Sequence, residues 1–393
     1  MRAATTVTIA RLTLAALTLG PGLALLDAQS APAPPTNVRV MAGTPAASGT
    51  AVWITKDELM SRPTSGAAWN TVLSDANRTG TPNVGDQDSR HDIYTLASAL
   101  VCVRTGQLCS KARASVVSAI GTEGNERWLA ISRNMTAYII SADLLNLRAD
   151  GSSGSEGTRV EQWIRSFLTR QLPDNNSGTP RAIAPFHSGS NAAAQEGLVH
   201  VAIGAYLRDK AVLDRGWDAF RTFAGDPGAP NRERIDLATG VDSGWAADSS
   251  APRAINPAGT TKQVPSGMAG AGSVRRVDGA IINDMRRGGN YQWPPVFTQY
   301  PWTGLAGIVP AAVVLERAGY PALAVANRAV LRSVDYLWFL RSNTGSTTWF
   351  DGTRGSEVVQ LVNHFYNTSY LVNSPVVAGM TVGYTDWTHP ASN

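Results

Sequence analysis

The sequence predicts an all-α protein and, within that class, an α/α toroid (an incomplete barrel) of antiparallel helical hairpins with long active-site loops. Three observations carry this. Nine stretches repeat apolar residues at helical spacing. Short polar turns such as Thr105-Gly106, Arg208-Asp209 and Arg317 to Tyr320 join most of them, which makes neighbours antiparallel. One long interruption, Gly225 to Pro301, is rich in Gly, Pro and Asp and lacks the helical period. A helical-repeat solenoid is the competing architecture, but the chain shows no fixed-period repeat.

The first 30 residues read as a secretory signal peptide. Arg2 and Arg11 precede an apolar stretch from Leu12 to Leu26, and the small residues Ala28, Ser30 and Ala31 suit a signal peptidase. Residues 31–50, opening on Ala-Pro-Ala-Pro-Pro-Thr, read as a flexible N-terminal segment, and residues 51–393 as one domain. The expected location is therefore secreted or periplasmic. No membrane span is expected, because the most apolar later segment, Leu305 to Leu315, is short and holds Pro310.

The helices follow in order. His91 to Val103 carries Ile93, Leu96, Ala97, Leu100 and Val101 on one face, and Ala112 to Ile120 is its neighbour. Cys102 and Cys109 bracket the turn between them. They form either one disulfide or two buried thiols. Trp128 to Leu147, Thr158 to Leu172, Asn191 to Leu207 and Ala211 to Ala224 continue the array. Thr303 to Ala318, with a kink expected at Pro310, then Leu323 to Leu340 and Val358 to Leu371 complete it. Ser190 or Asn191 is placed to cap the helix at 191, and His200 falls on that helix's apolar side as a core histidine. Acidic residues in Asp86-Gln87-Asp88-Ser89-Arg90-His91-Asp92 fit helix capping, with a cation site as the alternative.

Composition narrows the function. With 43% hydrophobic residues the chain is globular rather than disordered. Four of its 34 basic residues are lysines (Lys56, Lys111, Lys210, Lys262), leaving 30 arginines. That excess reflects either compositional bias or an anionic ligand gripped by guanidinium forks. The pI near 9.2 permits nucleic-acid binding, but the charge forms no Lys/Arg-rich stripe, and no nucleic-acid partner is expected. Motifs of serine hydrolases, P-loop NTPases and zinc proteases are absent, and no metal or cofactor is expected.

The densest chemistry lies in the long interruption: Asp278-Gly279, Asp284-Met285-Arg286-Arg287-Gly288-Gly289-Asn290-Tyr291-Gln292-Trp293, and Gln299-Tyr300-Pro301-Trp302. Paired arginines beside Gly-Gly allow a ligand to approach backbone and guanidinium together. Tyr291 and Tyr300 supply phenols, and Trp293 and Trp302 offer flat faces to sugar rings. A surface loop pinned by Arg–Asp pairs is the structural alternative. Asn, Arg and Tyr without a marked carboxylate pair suit β-elimination at a uronate. A neutral donor or an arginine binds the carboxylate as charge moves onto it, a base takes the C5 proton, and an acid protonates the departing O4.

Several runs together resemble secreted bacterial proteins of the alginate-lyase-like superfamily, nearest to polysaccharide lyase family 38, which cleaves glucuronan or alginate. They are Pro63-Thr64-Ser65-Gly66-Ala67-Ala68-Trp69, Asp86-Gln87-Asp88-Ser89, His91-Asp92, Arg133-Asn134 and Ala205-Tyr206-Leu207. With them go Ile255-Asn256-Pro257-Ala258-Gly259, Asp278-Gly279, Arg286-Arg287-Gly288-Gly289 and Thr385-Asp386-Trp387-Thr388-His389. The resemblance covers nearly all of residues 50–390 and is specific in combination. It implies an α/α toroid and metal-independent elimination, with Asn191 as carboxylate neutraliser, Arg286 or Arg287 as the basic position and Tyr291 or Tyr300 as the phenol. The family's histidine shortly after the asparagine is replaced here by Gln195, so His187 or His364 would supply that role, or tyrosine acts alone.

The expected catalytic set is Asn191, Arg287, Tyr291, Tyr300 and His187. Arg286, Gln195, Trp293, Gln299, His364 and Trp387 are expected to bind substrate, an acidic polysaccharide. Two alternatives stand: an α/α-barrel glycoside hydrolase using carboxylates such as Asp278, Asp284 or Glu196, and a non-catalytic acidic-glycan-binding protein.

Overall fold

The computed structural model describes residues 51–124, 128–173, 180–230, 244–248, 253–350, 355–370 and 379–391. The expected signal peptide and the segment 31–50 lie outside them. The protein is all-α: 54% is helix and 4% strand.

Two short helices open the described chain, α1 (Lys56–Met60) and α2 (Ala67–Asn77). A reciprocal capping box starts α1: Glu58 N donates to Thr55 Oγ1 at 3.1 Å and Thr55 N to Glu58 Oε2 at 2.6 Å. Then come α3 (His91–Thr105), α4 (Cys109–Ala119), α5 (Trp128–Leu144), α6 (Glu156–Ser166), α7 (Asn191–Leu207) and α8 (Lys210–Ala224). Cys102 and Cys109 form a disulfide across the α3–α4 turn, Cα atoms 4.7 Å apart. The expected loop from Gly225 to Pro301 contains a hairpin, β1 (Thr261–Gln263) antiparallel to β2 (Val274–Arg276), and a short helix α9 (Ile282–Arg286). After it follow α10 (Tyr300–Arg317), α11 (Val325–Thr344), α12 (Val359–Tyr366) and α13 (Thr385–Thr388).

The boundaries differ from expectation for local reasons. Helix α10 begins at Tyr300 and runs through Pro310 as one element. Regular right-handed helix in α11 starts only after Ala326, Asn327 and Arg328, which are left-handed. Such residues carry strain. The Arg332 guanidinium holds the turn, donating to the carbonyls of Ala326 and Asn327. Helix α12 ends at Tyr366, where Asn367 adopts φ 53°.

Helices α3, α5, α7 and α10 pack side by side in that order, while α4, α6, α8 and α11 lie against them as a second layer. Burial explains the division. Every residue from Ala193 to Gly204 of α7 and from Pro301 to Leu315 of α10 is buried, the mark of helices covered on all faces. By contrast α6 buries one stripe (Val160, Trp163, Ile164), and α8 buries Leu213, Gly216, Ala219, Phe220 and Phe223. At the C-terminal end α13 packs on α2 and on the turn Ser356–Val358, which itself packs on α10. The apolar residues of both layers form one core.

Helices α7 and α10 are parallel and nearly touching. A β-carbon on Gly307 would stand 2.4 Å from the Ala194 carbonyl carbon, and one on Gly304 would stand 3.7 Å from Asn191 Cα. Glycine at 307 therefore lets the two helices meet backbone to backbone near their N-terminal ends. No described helix is long and apolar enough to cross a membrane.

Candidate active site

Asn191 and Tyr300 are the first residues of α7 and α10. Ser190, not Asn191, caps α7: its Oγ accepts from Ala193 N at 3.3 Å. The Asn191 side chain is thus released from capping. Its Nδ2 donates to Asp284 Oδ1 at 2.9 Å and its backbone N to the same oxygen at 3.1 Å. Asp284 sits on α9 and is wholly buried, and that burial pushes its carboxyl up to about 7 against the opposing hydrogen bonds of Asn191 and the charges of Arg287 and Arg286. Three residues on, exposed Arg287 donates Nη2 to the Tyr300 hydroxyl at 3.2 Å, with its guanidinium 4.4 Å above the ring centroid. One short helix therefore ties the amide of α7 to the phenol of α10. Arg286 is half-buried, its Nε without a hydrogen-bond partner, and Gln299 is exposed at the cap of α10.

His187 lies just before α7, in a segment anchored by Phe186. Gly197 admits the Phe186 ring: a β-carbon there would come within 2.5 Å of it. His187 Nδ1 is 2.6 Å from Glu196 Oε2, and Nε2 is 3.2 Å from Arg181 Nη2. Glu196 is fully buried and accepts from Arg181 and from Ala184 N. The Arg181 guanidinium stacks 4.3 Å over Trp128, the first residue of α5, whose ring meets His187 edge-on. His187 thus bonds Arg181 through Nε2 and lies in ion-pair range of Glu196 through Nδ1, beside the start of α7.

Four expected site residues are structural. Tyr291 is buried against Trp245 and its hydroxyl donates to Lys262 O at 3.1 Å; burial pushes it up to about 12. Gln195 is buried and donates to Thr303 O at 3.0 Å, joining α7 to α10. Trp387 is buried against Trp69 and donates to Pro63 O at 2.8 Å. His364 Nδ1 donates to Pro390 O at 2.7 Å, with Arg62, Arg317 and Glu58 as its charged neighbours. Arg317 ends α10, about 25 Å along the helix from Tyr300 at 1.5 Å per residue. His364 therefore belongs to the opposite end of the fold.

The interruption's other candidates are likewise internal. Trp302 is buried with Nε1 on Trp349 O, and Trp293 is half-buried between Phe339 and the Arg275 guanidinium. Arg276 pairs with Asp335 at 2.7 Å, and Asp278 with Arg332 at 2.5 Å. Gly288 makes room for the chain itself, since a β-carbon would meet Val296 O at 2.5 Å. His200 is the core histidine expected, Nε2 on Val212 O at 3.2 Å and held down to about 4 by burial. At the start of α3, His91 Nδ1 meets the Tyr138 hydroxyl at 3.0 Å. Among the described residues no group of three or more His, Cys, Asp or Glu is placed to hold a metal ion.

The sequence did not single out Arg181 or Trp128, whose link to His187 and Glu196 spans separate elements. It named Asp284 only as a hydrolase carboxylate. The Asp284–Arg287 spacing of one helical turn was the available signal. No protein-family model matches the chain, and no curated protein matches it.

Proposed function

We propose that the protein is an exported lyase that cleaves a uronate-containing acidic polysaccharide, of glucuronan or alginate type, by β-elimination on an incomplete α/α toroid. The observation that carries the reading is α9: Asp284 and Arg287, one turn apart, hold Asn191 and Tyr300 at the N-terminal ends of two parallel helices. The two layers, and the run of packed neighbours from α2 through α3, α5, α7 and α10 to the turn Ser356–Val358, α13 and back to α2, support the toroid. The motif combination resembling polysaccharide lyase family 38 is a second support.

Asn191 and Arg287 meet the substrate carboxylate and stabilise the charge that moves onto it when C5 is deprotonated. Tyr300 takes that proton. The electron pair forms the C4=C5 double bond, the C4–O4 bond breaks, and O4 leaves with a proton returned by Tyr300. Arg287 on the phenolic oxygen offsets charge there during the exchange. His187, bonded to Arg181 through Nε2, supports that guanidinium beside the start of α7.

The hydrolase alternative has less support. Glu196 and Asp284 are fully buried and Asp278 is tied to Arg332, so none of the three offers the open pair that glycoside hydrolysis needs. The test is incubation with glucuronan, alginate, hyaluronan and pectate while following ultraviolet absorbance of the unsaturated product. The lyase reading expects absorbance on at least one polymer, lost in Tyr300→Phe. Reducing ends without absorbance would establish hydrolysis instead.

A further inference from the structure

Asn191 can serve as a neutraliser only if the correct end of its side chain is offered. A carboxamide has a donor end and an acceptor end of nearly the same shape, and a half-turn about its terminal torsion exchanges them. Something must therefore choose. Asp284 Oδ1 accepts from both the backbone N and Nδ2 of Asn191, at 3.1 and 2.9 Å. An acceptor that already takes the backbone N–H favours the NH2 end beside it. One N–H goes to Asp284 and the second N–H of the same nitrogen is left for a ligand.

The surroundings fix the carboxylate as firmly. Asp284 is fully buried, and its Oδ2 is buried without a hydrogen-bond partner. A β-carbon on Gly304 of α10 would stand 2.3 Å from that oxygen, so the glycine leaves the space that Oδ2 occupies. We infer that Asp284 is a positioning residue for the elimination, holding the Asn191 carboxamide so that its N–H meets the uronate carboxylate. This rests on the reading of Asn191 as neutraliser. The charged groups facing Asp284 are Arg286 and Arg287 on its own helix, while α7 presents Asn191 and α10 presents Gly304. A proton on the unpartnered Oδ2 leaves Oδ1 free to accept and removes a negative charge from behind the group that receives an anion.

Three readouts test this on the full chain: turnover and KM on the polymer that the wild type cleaves, the thermal midpoint, and the nitrogen-15 side-chain amide signal of Asn191. Asp284→Asn keeps shape but offers Asn191 a group that can donate as well as accept. It is expected to lower kcat by about 100-fold, the scale of a misplaced catalytic group. KM should change by less than about threefold, and the Asn191 amide signal should shift. The exchange variant Asn191→Asp/Asp284→Asn restores a donor–acceptor pair but turns a carboxylate toward the substrate. It should regain the thermal midpoint and not the turnover. Turnover retained in Asp284→Asn, or regained together with stability in the exchange variant, overturns the inference. If the wild type cleaves no uronate polymer, the functional reading fails on its own. The amide signal then decides the contact, and an Asn191 signal identical in wild type and Asp284→Asn overturns it.

Discussion

Gly307→Ala probes the seam on which the candidate site depends. The added methyl would stand 2.4 Å from the Ala194 carbonyl carbon, 2.5 Å from Gln195 N and 2.6 Å from Ala194 O, all of them backbone atoms of α7. Non-bonded carbon contacts settle near ~3.5–4.0 Å, so α7 and α10 must part by about 1 Å. Overpacking of this kind costs roughly 1–3 kcal/mol, and the helix preference for alanine over glycine returns about 1 kcal/mol. The net loss should be on the order of 0–2 kcal/mol, a fall of up to a few degrees in the thermal midpoint at this chain length. The chemical loss should be larger. Asn191 and Tyr300 ride on the two helices that separate, and a misplacement of about 1 Å can cost ~100-fold in rate. Gly204→Ala is the control, because its β-carbon meets only side-chain atoms of Leu213 and Val212, at 3.0 Å. Calorimetry and initial rates on all three proteins give the answer. A Gly307→Ala protein with a raised midpoint, or with turnover no lower than Gly204→Ala, would refute the close approach and the site built on it.

The two tyrosines should separate cleanly. Tyr300→Phe is expected to lower kcat by roughly 10²–10⁴ with little change in stability, whereas Tyr291→Phe removes the bond to Lys262 O, costs about 1 kcal/mol in urea unfolding and spares turnover. Asp92 and Asp284 are both buried acids held up to about 7. An acid with a raised folded pKa favours the fold fully below its unfolded value, near ~4, and that contribution is lost as pH rises through about 7. Stability from urea unfolding should therefore fall between about pH 5 and 8, by on the order of 3 kcal/mol for each acid; Asp92→Asn should flatten part of the slope, and a slope unchanged in that variant would contradict the burial account. The disulfide joins residues seven apart. The native protein should show no free thiol, and reduction should cost roughly 2–3 kcal/mol from the freed loop.

What the sequence made legible was what repeats. Apolar spacing located α7 to the residue and most longer helices to within four, because burial on one or all faces leaves a period in the chain; the stretch Thr158–Leu172 overran α6 by six residues, since Phe167 and Leu172 are buried beyond its end. It missed α1, α9 and α13, which at four or five residues are too short to show one, and it missed the 11-residue α2, whose buried face shows only Trp69, Val72 and Ala76 among polar residues. The capping box of α1, Thr55 to Glu58, was written in the sequence but stands apart from any periodic run. The hairpin β1–β2 is three residues a side, too short for alternation to declare itself. At the site, Asn191, Arg287 and Tyr300 were recognisable by chemical type, yet Tyr291 and Tyr300 were indistinguishable on that ground. Their difference is tertiary: one hydroxyl reaches Lys262 O inside the fold and the other meets Arg287 at the rim. The same holds for Trp387 and Gln195, whose polar atoms satisfy distant backbone carbonyls that no local pattern reveals.

The arginine excess can now be divided by position. Arg276 and Arg332 are held by Asp335 and Asp278, Arg275 covers Trp293, and Arg181 is locked between Glu196 and Trp128. Those guanidiniums build the fold, as compositional bias toward arginine allows. Arg287 differs: it is exposed, and its guanidinium meets a phenol that can itself take part in proton transfer. The carboxylates divide the same way. Glu196 and Asp284 lie behind Arg181, His187 and Asn191, where each holds donor groups from the buried side. Toward solvent stand the second N–H of Asn191 and the Arg287 guanidinium, beside the N-terminal ends of α7 and α10, whose helix dipoles add partial positive charge. An arrangement with its acceptors inside and its donors at the rim favours an anionic ligand over a neutral one. That asymmetry, more than the count of basic residues, argues for an acidic glycan.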